Sequence, residues 1–418
     1  MVAIYQFAAV RPEYKSAQCI AAVPYDVVTA EEAGETIRKY PQSFLRISRS
    51  DAELPGLPPD DTKVYERARE NFLSMMATGL LVRDPLPALY IYRVQQGDEV
   101  FIGLACCLDV RDYENGKICR HEATRYDKEA DRTRHIDAVN AQTGPVVMLY
   151  RDPGEIFPFI ESLIHGCPDT LTSPSPGVCH EIFVIRDKEA IGRLEMLFET
   201  VNRVYIADGH HRAKSAANVA QARVAGGTAG SESGHFMGVL FPSGRVKIHG
   251  YSRLLADLGG YSKTAFLKKL GEVFSIYPYG AVDRKAYHIP PKVAVAGKCH
   301  VIHMYIGGVW YECVRPATPE RDLIRTLDVT VLQEEVLARI LGITDPRGDG
   351  RVQYLGGARP LSDLEELVDS GRYALAFSMQ PVDVETVLSI ADAGKIMPPK
   401  STWFEPKLQS GLLVHMLD

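Results

Sequence analysis

A run of seven residues near the middle of the chain combines side chains suited to binding an anion. Ala207 to Ala213 includes one aspartate, one glycine, two adjacent histidines and an arginine. The preceding Val204 to Ile206 is β-branched and aromatic, and the residues from His210 to about Arg223 are rich in alanine. This pattern predicts that the run joins a strand to the start of a helix. Unpaired backbone N–H groups and the helix dipole favour an anion at such a position.

Two features of this run favour a phosphate-bearing ligand. Gly209 allows the backbone to approach a ligand closely, and Arg212 can donate two parallel hydrogen bonds to a phosphate or a carboxylate. The alternative is that the histidines are surface or core residues, because His210 and His211 are adjacent and at most one of them faces a given ligand. We predict a phosphate site, since a strand-to-helix loop seldom collects this much polar chemistry for packing alone.

A second polar segment begins at Arg120. If residues 122–137 are helical, four polar side chains project from one face of the helix. These are the side chains of Thr124, Lys128, Asp131 and Arg132. Arg120, Lys128 and Arg132 are candidate phosphate ligands, and the alternative is a solvated helix laced with ion pairs. The zinc-protease motif His-Glu-x-x-His is excluded, because Arg125 stands where its second histidine belongs.

A third cluster lies at residues 397–404, which read Met-Pro-Pro-Lys-Ser-Thr-Trp-Phe. It contains Lys400, Ser401 and Thr402, and Lys407 follows it. Lysines and hydroxyl groups around a proline-bounded turn are candidate ligands of phosphate oxygens. The alternative is an ordinary loop with exposed lysines.

A fourth candidate, Pro24-Tyr25-Asp26, follows a predicted strand at residues 19–23. Asp26 is a candidate general base, and the alternative is that it caps a helix. Thr29 with acidic residues behind it predicts that a helix begins there. Residues 43–48 are predicted to form a further short strand.

Composition and charge exclude several classes of protein. The net charge of −6 argues against a non-specific grip on nucleic acid or on an anionic membrane. We expect no signal peptide and no transmembrane helix, because no apolar run approaches the ~20 residues that such a helix needs. The eight cysteines include no Cys-x-x-Cys pair, so we expect reduced thiols in a cytoplasmic protein.

The succession of predicted strands and helices places the chain in the α+β class, as a mixed α/β protein. At 418 residues it is too long for one ordinary core. We predict an N-terminal α/β region at 1–170, a core at 171–260 and a C-terminal α/β region at 261–418. Residues 236–241 and 247–251 are predicted to pair as a hairpin.

The order of the four clusters resembles a known family. Pro-Tyr-Asp-Val-Val at 24–28, Arg-His-Glu-Ala-Thr at 120–124, Ala-Asp-Gly-His-His-Arg at 207–212 and Met-Pro-Pro-Lys-Ser-Thr at 397–402 occur in the same order in domain of unknown function 1015 (DUF1015). The resemblance extends over nearly the whole chain. That family name itself implies no biochemistry.

The strand, the Asp-Gly-His-His-Arg loop and the alanine-rich helix are similar to the phosphate-binding box of the ParB and sulfiredoxin superfamily, which includes SpoOJ/ParB-like proteins and free serine kinases. This resemblance implies a central ParB/sulfiredoxin-like nucleotide-binding core with additional α/β elaborations. It also implies that Asp208 to Arg212 form the phosphate-binding and metal-bridging element. No segment resembles a helix-turn-helix DNA reader, so nucleic acid is not an expected partner.

The resulting leading hypothesis is an ATP- or ADP-dependent phosphotransferase that acts on a small hydroxyl substrate such as free serine. Arg212 and the amides after Gly209 would hold the phosphates, Lys400 and Lys407 would add charge, and Asp208 would meet Mg²⁺ directly or through water. The remaining roles fall to four residues. His210 or His211 would contact the phosphoryl group, and Glu122 or Asp26 would orient or deprotonate the hydroxyl.

Two other functions stay open at this point. One is a nucleotide-gated switch or NTPase without a small-molecule acceptor, as the resemblance to ParB-like proteins implies. The other is a metal-dependent hydrolase with His121, Glu122, Asp208 and one histidine of the central run as ligands. A homodimer is compatible with each of these functions.

Overall fold

A computed structural model describes residues 1–292, 299–318, 322–346 and 349–418. Helices and strands are mixed along the whole chain, which confirms the predicted mixed α/β class. The α-helices are α1 (Ala17–Ile20), α2 (Ala30–Lys39), α3 (Leu45–Ser48), α4 (Thr62–Ala77), α5 (Val110–Glu114), α6 (Tyr126–Val139), α7 (Ile156–Ser162), α8 (Lys188–Phe198), α9 (His210–Ala225), α10 (Lys263–Leu270), α11 (Asp328–Val331), α12 (Leu361–Asp369) and α13 (Val384–Asp392). A π-helical stretch, Leu332–Ala338, follows α11, and short 3₁₀ turns lie at Tyr25–Val27, Ser50–Glu53 and Ser243–Arg245.

The strands are short to medium in length. They are β1 (Val10–Pro12), β2 (Leu81–Arg83), β3 (Leu89–Gln96), β4 (Glu99–Asp109), β5 (Ile118–Cys119), β6 (Ala141–Gln142), β7 (Val146–Tyr150), β8 (Thr170–Ser175), β9 (Val178–Ile185), β10 (Val204–Asp208), β11 (His235–Pro242), β12 (Lys247–His249), β13 (Ser252–Leu255), β14 (Ser275–Pro278), β15 (Cys299–Ile306), β16 (Val309–Pro316), β17 (Val352–Leu355), β18 (Leu375–Ser378), β19 (Trp403–Glu405) and β20 (His415–Met416). Among the described residues, no helix combines the length and the apolar character needed to cross a membrane.

The chain folds into two compact units that do not follow sequence order. Unit 1 comprises residues 1–120, 124–246 and 406–418, and unit 2 comprises residues 121–123 and 247–405. Both units cross the boundaries of the three regions predicted from the sequence, and that division stays a prediction.

Unit 1 is built on an eight-stranded mixed sheet, and the structure describes every residue of this unit. The strand order is β5-β10-β7-β11-β4-β3-β9-β8. β10 runs parallel to β5 and β7 runs parallel to β11, whereas the other neighbouring strands are antiparallel. Helices α8 and α9 supply apolar side chains to the core on this sheet, among them Leu194, Phe198, Ala213 and Ala217. The sheet therefore gives β10, which leads into the central polar run, a buried and fixed position.

The last thirteen residues of the sequence belong to unit 1. β20 pairs with β6, and the backbone N–H of Val10 donates to the carbonyl of Val414. Val414 and Leu417 are buried. This segment therefore carries Lys407 into the same unit as the central polar run.

Unit 2 contains a six-stranded sheet with the order β14-β16-β15-β18-β13-β17, as far as its described residues show. One face packs against α12, where Leu361 and Leu364 join a core with Leu254 and Trp310. β12 and β19 form a separate antiparallel pair. The turn between α13 and β19 holds the cluster predicted at 397–404.

Three local predictions are wrong. Residues 43–48 contain helix α3 rather than a strand, and residues 19–23 contain the end of α1. The predicted hairpin does not form, because β11 pairs with β4 and β7 whereas β12 pairs with β19. In each case a short apolar stretch was compatible with more than one partner, and tertiary packing decided.

Candidate phosphate-binding site

Gly209 shapes the connection between β10 and α9. It is the N-cap of α9 and adopts a left-handed conformation with φ 98° and ψ 29°. A Cβ atom at this position would lie 2.8 Å from Nε of Arg212. Only glycine fits both the backbone angle and the approach of that guanidinium. The turn thus sets Asp208 at the end of the strand and Arg212 on the first turn of the helix.

Asp208 holds two cationic side chains. Its Oδ2 accepts from Nη2 of Arg212 at 2.5 Å, and its Oδ1 accepts from Nζ of Lys407 at 2.7 Å. The side chains of Asp208, Arg212 and Lys407 are 24%, 13% and 22% exposed, respectively. Burial alone would raise the pKa of Asp208, but the charges of Lys407 and Arg212 outweigh it and hold that pKa well below its usual range. The three side chains carry a net charge of about +1 in a largely dehydrated position.

Arg212 retains hydrogen-bonding capacity beyond this ion pair. Its guanidinium donates to Asp208 and to the backbone carbonyl of Pro145. A guanidinium has five N–H groups, so three of them have no acceptor among the described residues. These donors, together with the start of α9, are available to an anionic ligand.

Arg132, on helix α6, is the second guanidinium of the site. It lies over the ring of Tyr25 at 4.2 Å from the ring centre and pairs with Asp131 at 2.7 Å. Only 11% of its side chain is exposed. The carboxylate of Asp131 also accepts from the hydroxyl of Tyr65 at 3.0 Å. The stack on Tyr25 and the ion pair with Asp131 together restrict the position of the guanidinium.

Arg132 and Arg212 line the same cavity, which has a volume of about 30 Å³. Hydroxyl groups surround the two guanidinium groups there. The polar lining consists of Tyr25, Ser48, Arg132, His135, Gln142, Thr143, Arg212 and Ser410. Burial raises the pKa of Tyr25 to about 12, so its hydroxyl stays protonated at neutral pH. The cavity therefore presents cations and hydrogen-bond donors to a small group.

The two histidines of the central run occupy different surroundings. Nε2 of His211 accepts from the backbone N–H of Arg125, the N-cap of α6, at 3.0 Å. His210 is buried, and its ring adds to the electrostatic environment of Asp208. His211 thus connects the start of α9 with the start of α6, and its proposed contact with a phosphoryl group stays a prediction.

The other predicted residues of unit 1 are less closely associated with the cavity. Arg120 stacks on Tyr113 at 4.9 Å, and Lys128 and Asp26 are exposed. Helix α6 begins at Tyr126 and not at residue 122. Thr124 therefore precedes the helix, so the four-residue polar face predicted from the spacing is incomplete.

Four predicted residues, Glu122, Lys400, Ser401 and Thr402, belong to unit 2. The hydroxyl of Ser401 donates to the carbonyl of Pro398 at 2.5 Å, and Oγ1 of Thr402 lies 3.3 Å from Nε2 of His121. Ser401 is buried, whereas Lys400 is exposed. Their predicted roles in binding nucleotide phosphates stay predictions.

Sequence reasoning missed the role of Tyr25 and the contribution of Ser48 and Pro145. Tyr25 lies beside Asp26 in the fourth cluster, and there the sequence singles out the carboxylate as the candidate for chemistry. Its stacking on Arg132 joins residues that are 107 positions apart, and no local pattern reports such a contact. Pro145 accepts from Arg212 through its backbone carbonyl, which every residue type has, so the sequence does not predict this contact.

Comparison with known proteins gives one family and several distant structures. The model of the family described as "Protein of unknown function (DUF1015)" matches residues 4–330. No curated protein matches the chain.

Three solved structures illustrate the distant similarity. A free serine kinase in complex with AMP is 13% identical, with 76% of this chain and 94% of that chain covered and a TM-score of 0.37. A conserved hypothetical protein from Pyrococcus furiosus is 14% identical, with 77% and 98% covered and a TM-score of 0.34. SbnI from Staphylococcus aureus, truncated at its C-terminus, is 11% identical, with 75% and 87% covered and a TM-score of 0.36. Similarities of this size assign neither a fold nor a ligand to this chain.

Proposed function

This chain belongs to the DUF1015 family of proteins of unknown function, and we propose that its unit 1 binds the phosphate groups of a nucleotide, ATP or ADP, at the start of α9. One observation carries the proposal: Arg132 and Arg212, from two different helices, line one cavity beside the start of α9. Two guanidinium groups at one cavity are suited to a doubly charged oxyanion.

The charge balance supports an anionic ligand. Arg132 pairs with Asp131, and Arg212 and Lys407 both pair with Asp208, so three cationic side chains share two paired carboxylates. The N-terminal end of α9 adds further positive potential at the same place. A phosphate would accept from the N–H groups of Arg212 that have no acceptor in the described parts of the chain.

The size of the cavity limits what enters it. A volume of about 30 Å³ corresponds to roughly one or two water molecules, so the cavity accommodates phosphate oxygens and not a nucleoside. The proposed binding mode therefore places a phosphate group toward Arg132 and Arg212, with the remainder of the nucleotide outside the cavity.

We propose phosphoryl transfer to a small hydroxyl substrate as the reaction. Phosphoryl transfer depends mainly on positioning and on neutralising charge, which the two guanidinium groups and Lys407 would supply. Asp26, next to Tyr25, is the candidate within unit 1 for accepting the proton of the attacking hydroxyl. The role predicted for Glu122, which belongs to unit 2, stays a prediction.

A direct bond from Asp208 to magnesium does not fit the side chain as it stands. Each of its two carboxylate oxygens accepts from a cationic group, so a divalent cation there would face both Arg212 and Lys407. We therefore derive no step through a metal on Asp208. Magnesium stays a prediction that is tied to the nucleotide.

Nucleotide titration of the full chain tests the proposal. We expect Arg212→Ala to weaken ATP and ADP binding by about 10- to 100-fold, because charge-assisted hydrogen bonds are lost. Arg223→Ala is the matched control, since Arg223 lies on the last turn of the same helix and pairs with Asp137 at 2.9 Å. Unchanged binding by a folded Arg212→Ala protein would refute the nucleotide site.

A turnover assay distinguishes the proposed kinase from a switch. Purified protein is incubated with ATP or ADP, with and without serine, and the phosphorylated product is measured. Serine-dependent product supports the phosphotransferase. Nucleotide binding that no small hydroxyl compound converts into product favours the nucleotide-gated switch instead.

A further inference from the structure

The turn at residues 397–403 in unit 2 is held from several sides. The backbone N–H of Met397 donates to the carbonyl of His121 at 2.8 Å, and the hydroxyl of Ser401 donates to Pro398 at 2.5 Å. Nη2 of Arg253 donates to the carbonyl of Lys400 at 3.1 Å. The turn therefore presents its side chains from a fixed backbone.

Lys400 stands in an unusual conformation on this turn. Its φ of 56° lies in the left-handed region, which non-glycine residues adopt only at a cost of about 1 kcal/mol or more. Its ammonium group is exposed and lies 5.4 Å from the centre of the Tyr251 ring. Within the described residues no carboxylate forms an ion pair with it. The strain thus presents a cation that the described chain does not neutralise.

Arg253 places a second positive charge behind the turn. It is only 3% exposed, and its guanidinium donates to the backbone carbonyls of Tyr251 and Lys400. Burial lowers its pKa to about 10, so it remains charged at neutral pH. No carboxylate in the described parts of the chain pairs with it, and a buried charge without a counter-charge is costly.

Aromatic rings form a fixed surface next to these cations. The rings of Tyr251 and Trp403 meet edge to face with centres 5.6 Å apart. A Cβ atom on Gly356 would lie 2.2 Å from Tyr251, and one on Gly357 would lie 3.0 Å from Trp403. The two glycines therefore let the backbone pack directly against both rings and hold them in place.

From these observations we propose that unit 2 carries a second anion-binding site, in which Lys400 binds the oxyanion group of a small molecule, a phosphate or a carboxylate, beside Tyr251 and Trp403. Arg253 is a positioning residue that fixes the Lys400 backbone and adds positive potential. An anion would supply a counter-charge that Lys400 and Arg253 do not find among the described residues, although acidic residues outnumber basic ones 53 to 47 in the sequence. This inference does not depend on the function proposed for unit 1.

The test uses the full chain carrying Arg212→Ala, which disables the site proposed in unit 1. Inorganic phosphate and acetate are titrated separately, so that the two sources of an oxyanion are compared, and the fluorescence of Trp403 is recorded. Trp310 is the only other tryptophan of the sequence and is buried, so Trp310→Phe in the same background isolates the signal. We expect saturable binding of at least one of the two anions.

Lys400→Gly provides the decisive comparison. Glycine keeps the left-handed backbone without strain but removes the ammonium group, so loss of folding does not confound the result. We expect at least tenfold weaker anion binding. Lys395→Gly is the matched control, because Lys395 is a nearby lysine of the same unit that pairs with Asp322 at 2.8 Å.

Three outcomes would overturn the proposal. The first is that neither anion binds saturably to the Arg212→Ala protein. The second is that the Lys400→Gly and Lys395→Gly proteins bind the anions equally well. The third is that phosphate changes the Trp403 fluorescence of the wild type and that Arg212→Ala by itself abolishes this change. The last outcome would show a single site that requires Arg212. That outcome would be compatible with nucleotide binding by unit 1. If instead Lys400→Gly abolishes nucleotide binding and Arg212→Ala does not, the function proposed for unit 1 is refuted and anion binding by Lys400 is supported.

Discussion

At the scale of single residues, Gly209 is the position on which the geometry of the phosphate site depends. Gly209 is needed for two separate reasons, its left-handed backbone and the close approach of Arg212. Another glycine of the chain has the left-handed backbone but no such close contact. Gly227 also has a positive φ, of 67°, but no atom lies within 4 Å of its missing Cβ. The two glycines therefore allow strain and crowding to be measured separately.

We expect Gly209→Ala and Gly227→Ala each to lower the free energy of unfolding by about 1 kcal/mol, since alanine is strained in the left-handed region. Only Gly209→Ala should also displace the Arg212 guanidinium and abolish nucleotide binding. Urea denaturation and nucleotide titration of both variants check this. Equal nucleotide affinity in the two variants would contradict the role assigned to the close approach.

His135 contributes a pH dependence to unit 1. It is buried, its Nε2–H donates to the carbonyl of Ile47 at 2.9 Å, and burial, assisted by the charge of Arg132, lowers its pKa to about 4. The folded pKa thus lies below the ordinary value of 6.5. The stabilising effect is complete above pH 6.5 and is lost as the pH falls toward 4, because the unfolded chain then binds a proton that the folded chain excludes.

We expect this histidine to account for about 3 kcal/mol of the stability lost between those pH values. His135→Gln retains a donor for Ile47 and should flatten the dependence of unfolding free energy on pH by that amount. His165→Gln is the control, because His165 is exposed. Parallel pH profiles for the wild type and His135→Gln would show that His135 is not excluded from protonation.

At the scale of elements, the junction between β10 and α9 is predictable from the sequence because each local signal agrees. Val204 to Ile206 is β-branched and aromatic and is buried, and the alanine-rich segment forms a helix of 16 residues. Thr29 likewise begins α2 with a capping box to Glu32. Strong local chemistry sets these boundaries, so tertiary contacts only reinforce them.

Residues 43–48 show where such reasoning fails. The segment Ser-Phe-Leu-Arg-Ile-Ser is short, apolar in part and compatible with a strand, yet Leu45 to Ser48 form a helical turn. Phe44, Leu45 and Ile47 are all buried, in a core that also contains Phe72 of α4. Over so few residues the period of a strand and that of a helix are not separable, and contacts distant in sequence decide.

Helix α9 needs small residues on the face that meets the sheet. Ala213, Ala216, Ala217 and Ala220 are buried there. Ala217→Leu should overpack this face and destabilise unit 1 by about 1–3 kcal/mol. Ala222→Leu, on the exposed side of the same helix, should stay within about 0.5 kcal/mol of the wild type. Denaturant unfolding of both variants tests whether the alanine face of α9 packs closely on the sheet, and equal stability of the two variants would contradict this.

At the scale of the whole molecule, unit 1 is assembled from separated parts of the chain. Lys407 and Asp208 form an ion pair although they are 199 residues apart. Local composition does not indicate which strand a later segment will join. Consecutive regions of sequence therefore do not describe a unit that includes both the central run and residues 406–418. The sequence therefore predicts Lys407 as a candidate phosphate ligand near a proline-bounded turn, but it does not predict the ion pair of Lys407 with Asp208.

Removing residues 406–418 should unfold unit 1. The segment supplies five buried apolar side chains, those of Leu408, Leu412, Leu413, Val414 and Leu417. We expect the shortened chain to lose the cooperative unfolding transition of unit 1, as measured by circular dichroism and limited proteolysis. Lys407→Ala in the full chain is the control, which should stay folded and lose only nucleotide affinity. A shortened chain with the wild-type transition would contradict this assignment.

The return of residues 406–418 to unit 1 also sets the order in which the protein matures on the ribosome. At about 5–20 residues per second, the 159 residues of 247–405 occupy roughly 8–30 s of translation. During that interval the nascent chain of unit 1 exposes the apolar surface that Val414 and Leu417 later cover. All residues of unit 2 are synthesised before those of unit 1 are complete, so unit 2 is the first with the opportunity to fold. Chaperones can bind this apolar surface during the interval, which ends only when Lys407 and the segment after it have emerged from the ribosome.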